Sequence, residues 1–446
     1  MLKKNSISEN KKTIVSNVSW ALAGKITNLI SALLVGIFVA RYLGPERYGL
    51  MNYVISFVNL FLILATFGFE NIEIREESKH EQEKDAIIGT TFALRFLFSI
   101  LTIVIIMAVA FFKEADRETM TLIFIYSISV LMTPFDVIRN YFTSIVQNEY
   151  IVKVGIARTV CSGLIKITLL LLKAPLILFV VALTFDAIIM AEGYIFVYRK
   201  KIGRIKNWKF SREWASIMIR QSFPLLLSGA AATIFLQIDQ VMIGDMIKDN
   251  KSSVAYFSIA SKIVEILLYV PTIIIQVVCP ILVRIKQEDE TRYQQQSQQF
   301  MNITVWLCVL VAIVMSLTAY WCVTLTFGQK YIQAVFPLQV LSFKVIAVAL
   351  NIISGQLLII DRNQKYFVLR SFSGCVACVL LNLVVIPRYG IVGVAYVAII
   401  TQVVAGFLIH AIIPPYRYIF KMQLRTLTGG WRDIVHIRKL IGGQTA

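Results

Sequence analysis

The sequence predicts an all-α integral membrane protein of about 12 transmembrane helices, in two pseudo-symmetric six-helix bundles around a central cavity. Three observations lead there. The 446 residues are 57% hydrophobic and only 16% charged, with a mean hydropathy of +0.72, whereas soluble domains carry about a quarter charged residues. Apolar runs of about 20 residues, enough to cross a hydrocarbon core, recur along nearly the whole chain. The alternating segments of about ten residues that mark a membrane β-barrel are not seen.

The first run, 13–40, follows Lys3, Lys4, Lys11 and Lys12. It is too long for the apolar part of a signal peptide and lacks a small-residue cleavage site, so it is expected to stay as a span. Runs at 50–69, 87–112, 119–145, 154–172 and 175–198 complete an amino-terminal bundle over 1–198. A basic linker, 199–221, follows. In it Phe210, Trp214, Ile217 and Gln221 recur at helical spacing, which predicts a helix lying in the membrane interface. The carboxy-terminal bundle, 222–413, holds runs at 222–244, 253–283, 300–327, 333–360, 366–386 and 390–413, and 414–446 is a basic tail with Trp431.

With both termini on the cytoplasmic side, Lys and Arg show roughly a threefold excess on that side, as the positive-inside rule requires. Arg199–Arg220 and Arg417–Lys439 are the densest groups. The net charge of +18 is thereby explained as a topology signal. No nucleic-acid partner is expected, because the charges are spread over short interhelical loops.

Two pairs of segments suggest an internal repeat: Tyr48–Ser56 with Val254–Lys262, and Gln147–Tyr150 with Asn363–Tyr366. The second register places Lys166 opposite Asn382. Six spans per repeat give parallel repeats and a cavity between them, an arrangement typical of transporters.

Charges inside the spans are costly and tend to face water or a partner. Lys25 heads a polar stripe with Asn28, Arg95 lies on one with Thr91, Ser99 and Thr102, and Arg158 shares a face with Ser162 and Lys166. In the second half Lys344 aligns with Asn351 and Ser354. Such cations along a low-dielectric route favour an anion, phosphate or diphosphate above all. The other reading is pairing with the membrane acids Asp136, Asp186, Glu192, Asp239 and Glu265, or snorkelling to an interface, above all for Arg158 near the inner surface. Lys262 with Glu265 and Asp136 with Arg139 have the spacing of such pairs, and together with Asp239 these four are candidates for gating or coupling.

The six cysteines all sit in apolar runs. Cys375 and Cys378 form a CxxC read as small residues one turn apart rather than as a redox or metal motif. Glu288-Asp289-Glu290 is read as solvated loop. There is no HExxH, GxxxxGK[ST] or GxSxG, and the short outer loops leave no room for a catalytic domain. The chain is therefore expected to be no enzyme and to need no cofactor, with sodium or protons as possible coupling ions.

Ala40-Arg41-Tyr42-Leu43-Gly44-Pro45-Glu46-Arg47-Tyr48-Gly49 resembles the signature of the bacterial polysaccharide flippases, the Wzx-type O-antigen and capsule transporters. Ser222–Leu225, Ile238–Gly244 and Asn382–Pro387 with Gly390 and Gly393 are similar to that family too. The resemblance implies two six-helix bundles, alternating access, and undecaprenyl-diphosphate-linked oligosaccharide repeat units as substrate. It also implies the bacterial cytoplasmic membrane as location, a surrounding of membrane lipid, and a polysaccharide polymerase with chain-length machinery as partners. Alternatives are a multidrug or cation antiporter of the same superfamily, whose cavity should carry acids, and a membrane glycosyltransferase, polymerase or scaffold.

Overall fold

The computed structural model describes residues 2–248, 251–363 and 366–435, with side chains described between 34 and 433. The described chain is helical with no strand. This follows from the solvent: in lipid every backbone N–H and C=O must be satisfied within the protein, and a helix does so within one segment. Among the described residues, ten helical stretches are long and apolar enough to cross a membrane. Several side chains on them are large, apolar and exposed, Leu97, Leu164, Leu171, Leu236, Leu317 and Leu325 among them. Arg95, Glu73, Ser99 and Asn140 are buried. A water-soluble protein does not expose so continuous an apolar surface.

The first of the ten, Leu34–Lys79, begins inside the 13–40 run, and the last, Phe367–Ile412, contains two expected runs. Helix α1 (Leu2–Thr66) is 65 residues long and departs from helical geometry at Gly44 (φ 73°). The stretch Phe367–Ile412 is 46 residues long and breaks at Gly390 (φ 55°). About 20 residues suffice for one crossing, so each stretch holds two. Gly44 is required at its turn, because a positive φ excludes a side chain at little cost only for glycine, and Pro45 then starts the next helix without needing an N–H partner.

By packing, residues 1–233 and 234–446 form two compact units. The first holds α1, α2 (Glu70–Lys79), α3 (Lys84–Phe112), α4 (Arg117–Ser127), α5 (Asp136–Ser144), α6 (Asn148–Leu171), α7 (Leu176–Lys201) and the start of α8 (Arg212–Met246). Asp116 caps α4, accepting from Thr119 N at 3.0 Å. In the linker, Phe210 is exposed, whereas Trp214, Ala215 and Met218 are buried against Phe69, Ile72, Ile87 and Leu94. Linker residues therefore continue into the span that follows them, and Trp214 Nε1 donates to Glu83 at 2.8 Å.

The second unit holds the rest of α8, then α9 (Ser252–Leu267), α10 (Tyr269–Glu288), α11 (Glu290–Thr326), α12 (Val335–Ser342), α13 (Lys344–Ile360), α14 (Phe367–Val403), α15 (Ile409–Ile412), α16 (Arg417–Gly429) and α17 (Trp431–Val435). Asp289, from the acidic triplet, caps α11 by accepting from Thr291 N at 2.8 Å and Arg292 N at 3.1 Å. Between α14 and α15, Val404–Leu408 is a π-helical turn, a geometry often found where function needs a displaced side chain. The paired segments of the sequence repeat are both core: Tyr48–Val54 and Ser253–Ala260 are continuous buried runs.

Candidate functional site

The signature-like stretch after the first span forms a brace. Tyr42 Oη donates to Ala174 O at 3.0 Å, Arg47 pairs with Glu118, and Tyr48 is buried. Tyr42, Arg47, Glu118 and Ala174, together with Arg117, Thr121 and Leu176, line a cavity of about 770 Å³ in the first unit.

Deeper in that unit the mid-span arginine meets an acid that lies far away in sequence. Arg95 Nη2 donates to Glu73 Oε2 at 3.0 Å, with the side chains 1% and 0% exposed. Asn140 Nδ2 donates to the same oxygen at 2.7 Å. Breaking a buried pair of this kind strands a charge, so the pair fixes α2 against α3 and α5. The stripe around Arg95 is also internal: Ser99 Oγ lies 3.2 Å from Thr133 Oγ1, and Thr91 donates back to Ile87 O at 3.0 Å.

Glu76 and Glu77 are buried beside Glu73. Arg139 pairs with Glu70 at 3.2 Å and donates to Asn140 Oδ1 at 3.2 Å from Nη2. Asp136 is half-buried within electrostatic reach of Arg139 and Arg95. Arg158, half-buried, lies near Tyr194.

Lys166 has a different setting. Its Nζ donates to Asp186 Oδ2 at 2.7 Å and to Ser162 Oγ at 2.7 Å, and the pair keeps 16% and 13% exposure. Glu192 is exposed. Lys25 lies outside the residues whose side chains are described.

The second unit solves the same problem with neutral dipoles. Asp239 is 7% exposed and accepts from Asn382 Nδ2 at 2.6 Å and from Cys378 Sγ at 3.3 Å. Cys378, which the sequence offered only as a small residue, is thus a polar partner. Lys344 is half-buried within electrostatic reach of Asp239. Lys262 and Glu265 are both exposed on α9.

Arg370, near the start of the 366–386 run, is 9% exposed and donates to Asn351 Oδ1 and, at 3.2 Å, to Asn351 O. No carboxylate is paired with it among the described residues. Asn351 in turn donates to Gln402 at 3.0 Å. Gly406, at the π-turn, leaves no room for a side chain: a Cβ there would lie 2.7 Å from that of Asn351. Buried His410 faces Gln423, which donates to Ser354 Oγ at 2.8 Å and Gly406 O at 2.7 Å.

At the end of α13, Asp361 gathers Lys286, the Tyr418 hydroxyl and, at 3.0 Å, the Tyr293 hydroxyl. Burial, and then the hydrogen bond and charge of Asp361, hold the Tyr418 phenol above its ordinary value. Among the described residues no group of His, Cys, Asp and Glu has the arrangement of a metal site.

Comparison with known proteins follows this geometry. A protein-family model described as polysaccharide biosynthesis protein matches residues 14–286. The fold is similar to that of the lipid II flippase MurJ in its inward closed conformation, at 13% identity and a TM-score of 0.67 over 94% of this chain and 92% of that one. It is similar to a multidrug resistance MATE family transporter of the MOP superfamily in its inward-facing conformation, at 15% identity and 0.65 over 91% and 96%. A MOP superfamily transporter from Pyrococcus furiosus, whose binding pocket is described as having reversed polarity, shares 13% identity at 0.59 over 94% and 97%. A comparison with curated proteins found no match.

Proposed function

Because the chain belongs to the polysaccharide biosynthesis protein family, we propose that it is a flippase for undecaprenyl-diphosphate-linked oligosaccharide repeat units. It carries them from the inner to the outer leaflet of a bacterial cytoplasmic membrane by alternating access, for O-antigen or capsule assembly. The family match over 14–286 is the observation that carries this reading, and the multi-pass fold shared with a flippase supports it. Both termini lie on the cytoplasmic side, on the strength of the Lys and Arg distribution. A polymerase and chain-length machinery take up the product.

Among the intramembrane cations Lys166 is best suited to meet a diphosphate, because its pair with Asp186 is partly exposed whereas Arg95 and Glu73 are sealed. A diphosphate is a stronger acceptor than one carboxylate and displaces Asp186 from Lys166. Lys25 and Arg158 extend the same path within the first unit, and Lys344 is the cation the second unit offers to the anion. Asp239, held by neutral donors, is the carboxylate through which sodium or proton coupling acts.

The second reading, a multidrug or cation antiporter, is favoured by one feature: the buried Glu73, Glu76 and Glu77 supply the acids such a transporter needs.

The test is complementation in a bacterium lacking its own repeat-unit flippase. Wild type is expected to restore surface polysaccharide, and Lys25→Ala with Lys166→Ala to lose it while the protein stays in the membrane. Full export by the double variant would overturn the cationic path. Failure of wild type to restore any polymer, with energy-dependent efflux of a cationic dye, would favour the antiporter.

A further inference from the structure

The tail helix α16 presents three different faces. One docks by polar bonds: Gln298 Nε2 donates to Met422 O at 3.1 Å and to Thr426 Oγ1 at 2.9 Å, Trp306 Nε1 donates to Thr426 O at 2.9 Å, and Gln423 is fully buried. A second face is apolar and exposed, with Leu424 and Leu427, and Trp431 of α17 continues it. A third carries Arg417, Lys421 and Arg425, all exposed and four residues apart, hence one stripe of a helix with 3.6 residues per turn. Apolar and basic faces adjoin. A helix held to a membrane protein by one side, with those two faces free, matches the boundary between acyl chains and charged headgroups.

The basic stripe does more than face outward. Tyr418, Lys421 and Arg425 form one wall of a cleft of about 790 Å³, and Gln294, Gln295 and Gln298 of α11 are among the residues opposite. Asp361, on the same cleft, is already engaged by Lys286 and two tyrosines; Glu290 lines the cleft too, and Lys421 and Arg425 outnumber that one remaining carboxylate. Two cations beside a row of amides form a site for a phosphate that bears hydroxyl groups: the cations take the phosphate and the glutamines take the hydroxyls.

We propose that this cleft binds the headgroup of an anionic phospholipid of phosphatidylglycerol type, with its acyl chains lying along Leu424 and Leu427. The bound lipid braces α16 against α11. The site depends on the tail lying at a membrane surface, as the proposed topology requires, but not on the substrate carried. Its readout is therefore lipid retention and not transport, so a failure here leaves the flippase reading standing and the reverse also holds.

The test uses the full chain in detergent and native mass spectrometry, with phosphatidylglycerol and phosphatidylcholine of identical chains as probes. Wild type is expected to retain phosphatidylglycerol about tenfold better, and Lys421→Gln with Arg425→Gln to bring the two lipids level, since each basic residue near an anionic surface contributes a several-fold preference. Lys330→Gln with Arg388→Gln, exposed cations elsewhere, is expected to leave the preference intact. On wild type, salt near 1 M is expected to erase the preference by screening. A preference that survives the salt, or survives loss of Lys421 and Arg425, would overturn the proposal. Binding of free glycerol phosphate as tightly as the lipid would overturn the lipid as occupant.

Discussion

The two bundles hold their most deeply buried charges by different means, although the second also keeps a partly exposed ion pair, Lys286 with Asp361. In the first, a cation meets a carboxylate: Arg95 with Glu73 fully enclosed, and Lys166 with Asp186 partly so. In the second, Asp239 rests on an amide and a thiol, and Arg370 on an amide and a backbone carbonyl. The sequence register that sets Lys166 opposite Asn382 places a donor to a carboxylate at both positions, partly exposed at Asp186 and buried at Asp239. An ion pair is costly to separate, because each half is left as a bare charge in low dielectric. A charge held by dipoles has no such partner to strand. The first bundle is therefore sensitive to loss of either partner of a pair, and the second tolerates a change of charge at its polar centre more readily.

The comparison breaks first at Glu73. Glu73→Ala leaves Arg95 buried and unpaired, and a loss of about 3 to 5 kcal/mol is expected, read as a collapse of thermal stability in detergent. Glu73→Met combined with Arg95→Met is expected to recover much of it; a double variant as unstable as Glu73→Ala would show that the pair is not the cause. Arg370→Met removes a cation that strands no acid, so the cost is expected to be smaller, about 1 to 3 kcal/mol from the orphaned Asn351 groups. Equal losses from Glu73→Ala and Arg370→Met would erase the distinction between the bundles.

Lys166→Met is expected to cost only about 1 kcal/mol, because water reaches the pair, yet to abolish polysaccharide export. Unchanged export would remove Lys166 from the path. Gly44→Ala meets no atom within 4 Å of an added Cβ, but its φ of 73° with ψ of 172° is a conformation essentially reserved to glycine, so a loss of about 1 to 3 kcal/mol is expected, read as a lower melting temperature in detergent.

Much of this fold could be read in the chain, because the membrane imposes a length and polarity on each span that no soluble context would enforce. Ten helical stretches and two sharp glycine breaks correspond to the twelve apolar runs. The site was less legible. Glu73, Glu76 and Glu77 lie in a charged stretch, Glu70–Asp85, that reads as a solvated loop; only partners 22 and 67 residues away make Glu73 a core residue. Glu70, Glu73 and Glu77 do recur at helical spacing, which was the one available sign. Arg370 stands so near the start of its span that it reads as a flanking charge, and its burial rests on Asn351 from another helix. Cys378 showed its size in the sequence but not its neighbour Asp239.

The uninterrupted joins at Gly44 and Gly390 bear on how the protein is handled at the bench. Consecutive spans meet there through a single bent residue inside a helical stretch, leaving no slack segment into which a reporter or epitope can be spliced. Fusion-based mapping will find those two places silent on either side of the membrane, and single-cysteine labelling next to them, at Glu46 or Tyr389, is the way to register that the chain has turned.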